Sequence, residues 1–439
     1  MLHELNHASV YLSLALLGVA LLGRLRCPDI GWLTIPCFFL QAPVIELAWV
    51  VFAIDVIYLG WLLDADSSGQ LAHWLSLLFT AAAAAAQYRT LAAGCNAQQE
   101  ARNALQRAPQ ELQTQALDDT RAKLLRTHVP ASAWLRPFRL QSPAVEIIKN
   151  LAYGEHERQQ LDIYRPRDWQ QAIRNNGNRP LPVLLQIHGG GWMVGGKEQQ
   201  ARPLMDFLAQ RGWLCVAINY RLSPAARFPD HLLDVKRALH WIKTGIRDFG
   251  GDPQFVATTG GSAGGHLCSL LALTANRSRQ LLQPGFETAD SSVQACVPFY
   301  GVYDFLDRHN SRPKIDSTKF YRDYVMPEGP ESAPELWQLA SPIAQVDATA
   351  PPFMVVHGSF DSLSYVEDAR HFVQALGSTS TQPVLYLELA GAQHAFELFH
   401  SPRTEHTINA VQQFLEAVYS RHIHPPTAPQ PEHGDRQTR

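Results

Sequence analysis

Phe255-Val256-Ala257-Thr258-Thr259-Gly260-Gly261-Ser262-Ala263-Gly264-Gly265-His266 leads from an apolar, β-prone run into a glycine-flanked serine and continues as Leu267-Cys268-Ser269-Leu270-Leu271. The pattern predicts a strand, a sharp turn and a helix, with Ser262 on the turn. A serine so placed has strained backbone geometry, and the neighbouring glycines let strand and helix approach without Cβ clashes. Its hydroxyl stands above the sheet, in front of a helix N-terminus that favours negative charge. Gly260-x-Ser262-x-Gly264 also fits an ordinary glycine-serine turn, so the surrounding chain has to decide.

Outward from this stretch, strands and helices alternate, the pattern of a mostly parallel sheet with helices on both faces. Residues 145–148 and 160–164 read as opening strands, and Leu184-Leu185-Gln186-Ile187-His188 as a buried one, followed by a helix with Leu204, Phe207 and Leu208 on one face. Residues 214–219 form the next strand, and Leu232, Val235, Leu239 and Ile242 the apolar stripe of the next helix. After the Ser262 unit come a strand at 295–300, a polar insert at 304–350 containing Trp337, and strands at 353–357 and 384–389. A closing helix after Ser401-Pro402 carries Ile408, Val411, Phe414, Leu415 and Val418 on one face. The proline-rich, polar tail from His424 is expected to be disordered.

Acyl transfer by serine requires a base, an acid that orients it, and donors for the developing oxyanion. His188-Gly189-Gly190-Gly191-Trp192 follows a buried strand, and its glycines allow backbone N–H groups to point into a site unobstructed. Val355-Val356-His357-Gly358-Ser359-Phe360-Asp361 is an apolar strand leaving into a turn that bears a carboxylate. Leu387-Glu388-Leu389-Ala390-Gly391-Ala392-Gln393-His394 leaves its strand into a loop that bears an imidazole. Ser262 as nucleophile, Asp361 as acid and His394 as base stand in the chain order Ser…Asp…His. Asp304 is the rival acid, and His357, His400 and His406 are the rival bases.

Taken together, His188-Gly189-Gly190-Gly191-Trp192, Asn219-Tyr220-Arg221-Leu222-Ser223-Pro224, Gly251-Asp252-Pro253, Gly260-Gly261-Ser262-Ala263-Gly264-Gly265 and the loops of Asp361 and His394 resemble the hormone-sensitive-lipase-like esterases. The resemblance covers about residues 145–420 and implies an α/β-hydrolase fold and carboxylesterase activity. It also implies that the backbone N–H groups of Gly190, Gly191 and Ala263 form the oxyanion hole, and that no cofactor is needed. Two positions depart from the family pattern: Gly261 stands where many relatives have aspartate or histidine, and His266 where asparagine is frequent. Related formamidases and prenylcysteine esterases carry similar variants, which widens the range of substrates. An acyltransferase, an amidase or arylformamidase, and a non-catalytic binding module on the same fold are the competing readings.

The first ninety residues differ in character. Apolar runs at 8–23, 30–63 and 71–86 predict a membrane anchor over 1–90 of about three transmembrane helices, with a short or re-entrant piece around 30–40. A cleaved signal peptide is the alternative for the first run, but its start carries no lysine or arginine. Glu46 and Asp55 are costly in a bilayer and are expected to face the bundle interior or pair with a neighbour. Arg24, Arg26, Arg89 and Arg102 place the catalytic domain in the cytoplasm by the positive-inside rule. A helical connector is expected at 91–140, the catalytic domain at 141–422 and the tail at 423–439.

Charged residues make up 18% of the chain, below the usual share of about 25%, in keeping with some burial in lipid. The net charge of −3 and scattered basic residues leave no footprint for nucleic acid. Six cysteines are too few for a disulfide framework and are read as unpaired, consistent with a reducing compartment. Neither their spacing nor that of the 18 histidines suggests a metal site. The expected partners are a small-molecule or lipid ester and a membrane.

Overall fold

The computed structural model describes residues 2–27, 31–65, 70–107, 119–312 and 317–425. Strands β1 (Val145–Ala152), β2 (Gln160–Pro166), β3 (Leu181–Ile187), β4 (Leu214–Ile218), β5 (Gly251–Gly261), β6 (Ala295–Phe299), β7 (Phe353–Gly358) and β8 (Val384–Leu389) form one sheet. Their order is β1-β2-β4-β3-β5-β6-β7-β8. β2 runs antiparallel to β1 and β4, and every other neighbouring pair is parallel. The carboxyl ends of β3, β5, β7 and β8 therefore share one edge, where open α/β sheets bind ligands.

Helices α1 (Leu2–Leu22), α2 (Gly31–Glu46), α3 (Ala48–Asp64) and α4 (Leu71–Gln106) precede the sheet. Helices α5 (Arg202–Ala209), α6 (Asp230–Gly245), α7 (Ala263–Leu273), α8 (Val366–Thr379) and α9 (Pro402–Ile423) cover it. Successive strand residues point to opposite faces, and both faces are covered, which is why the central strands read as continuous apolar runs. Val183, Leu185, Val216 and Ile218 enter one core with α6, α7 and α8. Leu184, Cys215, Ala217 and Val297 enter the other with α5 and α9.

The expected boundary at residue 90 falls inside α4, which is 36 residues long and continues to Gln106. Ala97, Ala101 and Ala104 form a stripe of small side chains that joins the core beneath α9, so the second half of this helix belongs to the catalytic domain's packing. The connector's leucines at 112 and 117, and the tail from residue 426, lie outside the described residues.

The three expected membrane-crossing helices are not found among the described residues. Among the described residues no single helix is long and apolar enough to cross a membrane, and only α2 and α3 together reach that length, as a pair bent by 72°. The shortfall has local causes. Pro36 and Pro43 lie inside α2, and polar residues enter α1, α3 and α4. Those polar residues face inward. Ser9 and Ser76 share a hydrogen bond of 3.0 Å, Thr80 donates to Ser13 at 2.9 Å, and Asp55 and Gln87 are fully buried. The outside is apolar, with Tyr11 at 70%, Ile57 at 73% and Trp61 at 60% exposure. Glu46 does pair: it forms a buried ion pair with Arg403 on α9 and accepts a hydrogen bond from Ser401 at 2.7 Å.

Reading all six cysteines as unpaired is also corrected. Cys27 and Cys37 are joined by a disulfide across ten positions, with Cα atoms 6.0 Å apart, while Cys95, Cys215, Cys268 and Cys296 are free. No sequence period marks this pair, which stands ten positions apart, Cys27 after the end of α1 and Cys37 within α2. Titration of thiols in denatured, unreduced protein is expected to find those last four reactive and two more only after reduction. Six reactive thiols before reduction would contradict the pairing.

Candidate active site

Ser262 leaves β5 with φ 58° and ψ −121°, a conformation costly for an L residue. The surrounding chain imposes it: the Ser262 N–H donates to the Phe299 carbonyl at 3.0 Å, and the Ser262 carbonyl accepts from His266 at 3.0 Å. The strand-to-helix approach is so close that a Cβ on Gly264 would lie 2.1 Å from the Ile187 carbonyl oxygen. Only glycine fits there.

The loop after β3 curls through Gly190, Gly191 and Trp192, at φ 117°, 60° and 61°. The Gly190 carbonyl accepts from Met193 and Val194 at 3.1 and 3.0 Å, and the Gly189 N–H donates to Gln200 at 2.6 Å. Among the described residues, the N–H groups of Gly190, Gly191 and Ala263 have no acceptor. Trp192 anchors the loop in an aromatic cluster, 5.1 Å from His266, 5.4 Å from Phe305 and 5.8 Å from Tyr321. His266 lies stacked on Phe305 and hydrogen-bonded to the Ala340 carbonyl at 2.7 Å. Burial pushes its pKa down to about 4, so it is a neutral packing residue. This accounts for one of the two departures from the family pattern.

The other is steric. A Cβ on Gly261 would lie 2.7 Å from the Tyr300 hydroxyl. Tyr300 occupies that space, donates to the Glu397 carboxylate, and sets its ring 4.5 Å from that of His394. The residue before Ser262 thus faces the tyrosine that packs on the imidazole.

Asp361 and His394 are joined directly, His394 Nδ1 to Asp361 Oδ2 at 2.7 Å. Asp361 Oδ1 accepts the backbone N–H groups of Leu363 and Ser364, both at 2.8 Å. Burial alone would raise the carboxyl pKa, but His394 and the hydrogen bonds from His357 and His394 outweigh it and hold the group well below the ordinary carboxylate range. An ionised Asp361 fixes the proton on Nδ1 and leaves Nε2 as the basic nitrogen.

The rivals have other duties. Asp304 caps its own turn, accepting from the N–H groups of Leu306 at 3.1 Å and Arg308 at 2.7 Å and pairing with the Arg308 guanidinium. His357 bonds the Ser364 carbonyl at 2.8 Å and stands 3.4 Å from Asp361, a support to the acid. His400 bonds Glu405 at 2.5 Å, and His406 lies on α9. Sequence reasoning missed Tyr300, which precedes no motif, and Gln393, whose only signal is adjacency to His394.

The BD-FAE family model matches residues 161–376. The chain is 51% identical over 273 residues to the probable carboxylic ester hydrolase LipM of Mycobacterium tuberculosis, covering 62% of this chain and 61% of that protein. It is 42% identical to the esterase LipQ of the same organism, over 62% of this chain and 63% of the relative. It is 25% identical to the isoprenylcysteine alpha-carbonyl methylesterase ICME of Arabidopsis thaliana, covering 58% of each chain. Each match spans less than two thirds of the relative's own length. Among solved structures, esterase B of Lactobacillus rhamnosis aligns with a TM-score of 0.53 and 22% identity, over 64% of this chain and 88% of that one. This likeness supports the α/β-hydrolase fold seen in the sheet.

Proposed function

We propose that the chain is a serine carboxylesterase of the hormone-sensitive-lipase-like kind, acting on an amphiphilic ester at a membrane. The observation that carries this reading is that a strained Ser262 and the hydrogen-bonded Asp361–His394 pair follow the carboxyl ends of β5, β7 and β8 in one parallel sheet, with N–H groups at Gly190, Gly191 and Ala263 that have no acceptor among the described residues. In the mechanism, Ser262 attacks the ester carbonyl as His394 Nε2 takes its proton. The three N–H groups hold the oxyanion, an interaction in which one lost donor costs about 3 to 4 kcal/mol. His394 then protonates the departing alcohol, and water activated by the same nitrogen releases the acid. The kinship with LipM and LipQ, both named for ester hydrolysis, supports the reaction class.

Membrane attachment is supported by the inverted character of the N-terminal helices, polar within and apolar without. The apolar surface continues to the site: exposed Leu40 and Phe39 lead to Phe38, whose ring is 6.0 Å from that of His394. Val194, Phe320, Tyr324 and Leu363 add further exposed apolar side chains, and a Cβ on Gly191 would touch Phe320. An ester with an apolar chain suits such a rim.

Sidedness rests on two opposed observations. The arginines at 24, 26, 89 and 102 favour a cytoplasmic catalytic domain. The Cys27–Cys37 disulfide favours an oxidising side, and the thiol titration on protein taken directly from cells chooses between them.

Hydrolysis of nitrophenyl esters from acetyl to palmitoyl by the detergent-solubilised protein tests the substrate class. The reading predicts an optimum beyond the shortest, fully soluble esters. Activity confined to acetyl and propionyl esters would remove the amphiphilic substrate, and diversion of the acyl group to added alcohol would identify an acyltransferase.

A further inference from the structure

We propose that α2 is part of the catalytic apparatus, with Gln41 a positioning residue that sets the His394 and Asp361 loops through Gln393. The proposal rests on the esterase reading and names a regulator of the same site. Cys37 and Phe38 lie four and three positions before Gln41 on α2; Cys37 is disulfide-bonded to Cys27, the Phe38 ring lies 6.0 Å from that of His394, and Gln41 bonds Gln393.

The hydrogen bonds form a directed chain. Gln393 Oε1 accepts the backbone N–H of His394 at 2.8 Å and of Ser362 at 2.9 Å, tying the base loop to the acid loop. Gln393 Nε2 donates to Gln41 Oε1 at 2.8 Å. Gln41 Nε2 donates in turn to the carbonyls of Leu22 at 2.9 Å and Leu25 at 2.6 Å, at the end of α1. Both glutamines are buried, at 0% and 1% exposure. With carbonyl acceptors at one end and N–H donors at the other, neither amide can be turned over without setting donor against donor or acceptor against acceptor. Gln41 thus decides which way Gln393 faces, and Gln393 holds the N–H of the catalytic histidine. Phe38 completes the arrangement by packing edge-on against the imidazole at 6.0 Å, which also meets the Tyr300 ring at 4.5 Å.

Placement of this kind matters for rate more than for binding, since a shift of about 1 Å in a reacting group costs up to about a hundredfold. In the full-length protein, Gln41→Met is expected to lower kcat ten- to a hundredfold (about) with KM little changed, and to slow phosphonylation of Ser262 in parallel. Gln41→Glu keeps an acceptor for Gln393 Nε2 but sets its second oxygen against the Leu22 and Leu25 carbonyls, so its kcat should also fall with KM little changed. The double variant Gln41→Met with Gln393→Met should be no slower than Gln393→Met alone, since both act through one path. A folded Gln41→Met protein with wild-type kcat overturns the inference, as do independent, multiplying effects in the double variant. Unfolding of both Gln41 variants also counts against it, because the residue would then be structural. If the wild type itself neither hydrolyses esters nor is phosphonylated at Ser262, the esterase reading has failed instead.

Discussion

Ser262→Ala is expected to abolish ester hydrolysis, lowering kcat by about a million-fold, the scale seen when the nucleophile of a serine hydrolase is removed. The residual rate would come from the oxyanion donors and substrate binding, which survive the change. Fold should be preserved. The backbone geometry of residue 262 is held by hydrogen bonds of its own N–H and carbonyl, not by its hydroxyl, and alanine bears the same Cβ that serine places there. A circular dichroism spectrum and melting curve matching the wild type, together with loss of turnover, is the predicted pair of results. Retention of activity within tenfold would place the nucleophile elsewhere.

Asp361→Asn should cost about ten-thousandfold in kcat, as the corresponding change does in serine proteases. The asparagine Oδ1 still accepts the N–H groups of Leu363 and Ser364, so the loop keeps its shape. Its amide nitrogen, however, faces His394 Nδ1 as a donor. The imidazole then carries its proton on Nε2 and cannot accept the serine hydroxyl proton. KM should change little, because the substrate does not meet Asp361. An effect below about tenfold would point to another acid. Asp304 is poorly placed to be that acid, since its carboxylate is committed to Arg308 and the turn at 306–308.

The catalytic strands were legible because a sheet covered on both faces writes itself as apolar runs, and β3, β5, β6 and β7 lie where those runs lie. The serine turn was legible because close packing excludes any side chain at Gly264, leaving glycine as a visible mark. What stayed hidden depends on contacts between distant positions. Glu46 meets Arg403 across 357 positions and Gln41 meets Gln393 across 352, and neither leaves a period or spacing in the chain. The charge on Glu46, costly if exposed to lipid, is instead neutralised by α9. The same docking explains why α4 crosses the expected domain boundary: its alanines at 97, 101 and 104 read as bland helix, and only the apposed α9 gives them a role. Among the described residues the N-terminal helices fall short of a membrane span because prolines and buried polar side chains interrupt the apolar runs that a hydropathy reading seeks.

The most direct measurement is the reaction of the wild-type protein with a nitrophenyl alkylphosphonate, an ester-like reagent that traps an activated serine, followed by peptide mapping. The account predicts a single adduct on Ser262, lost in Ser262→Ala and strongly slowed in Asp361→Asn. An unreacted protein, or an adduct on a different residue, would contradict the assignment of Ser262 as the nucleophile.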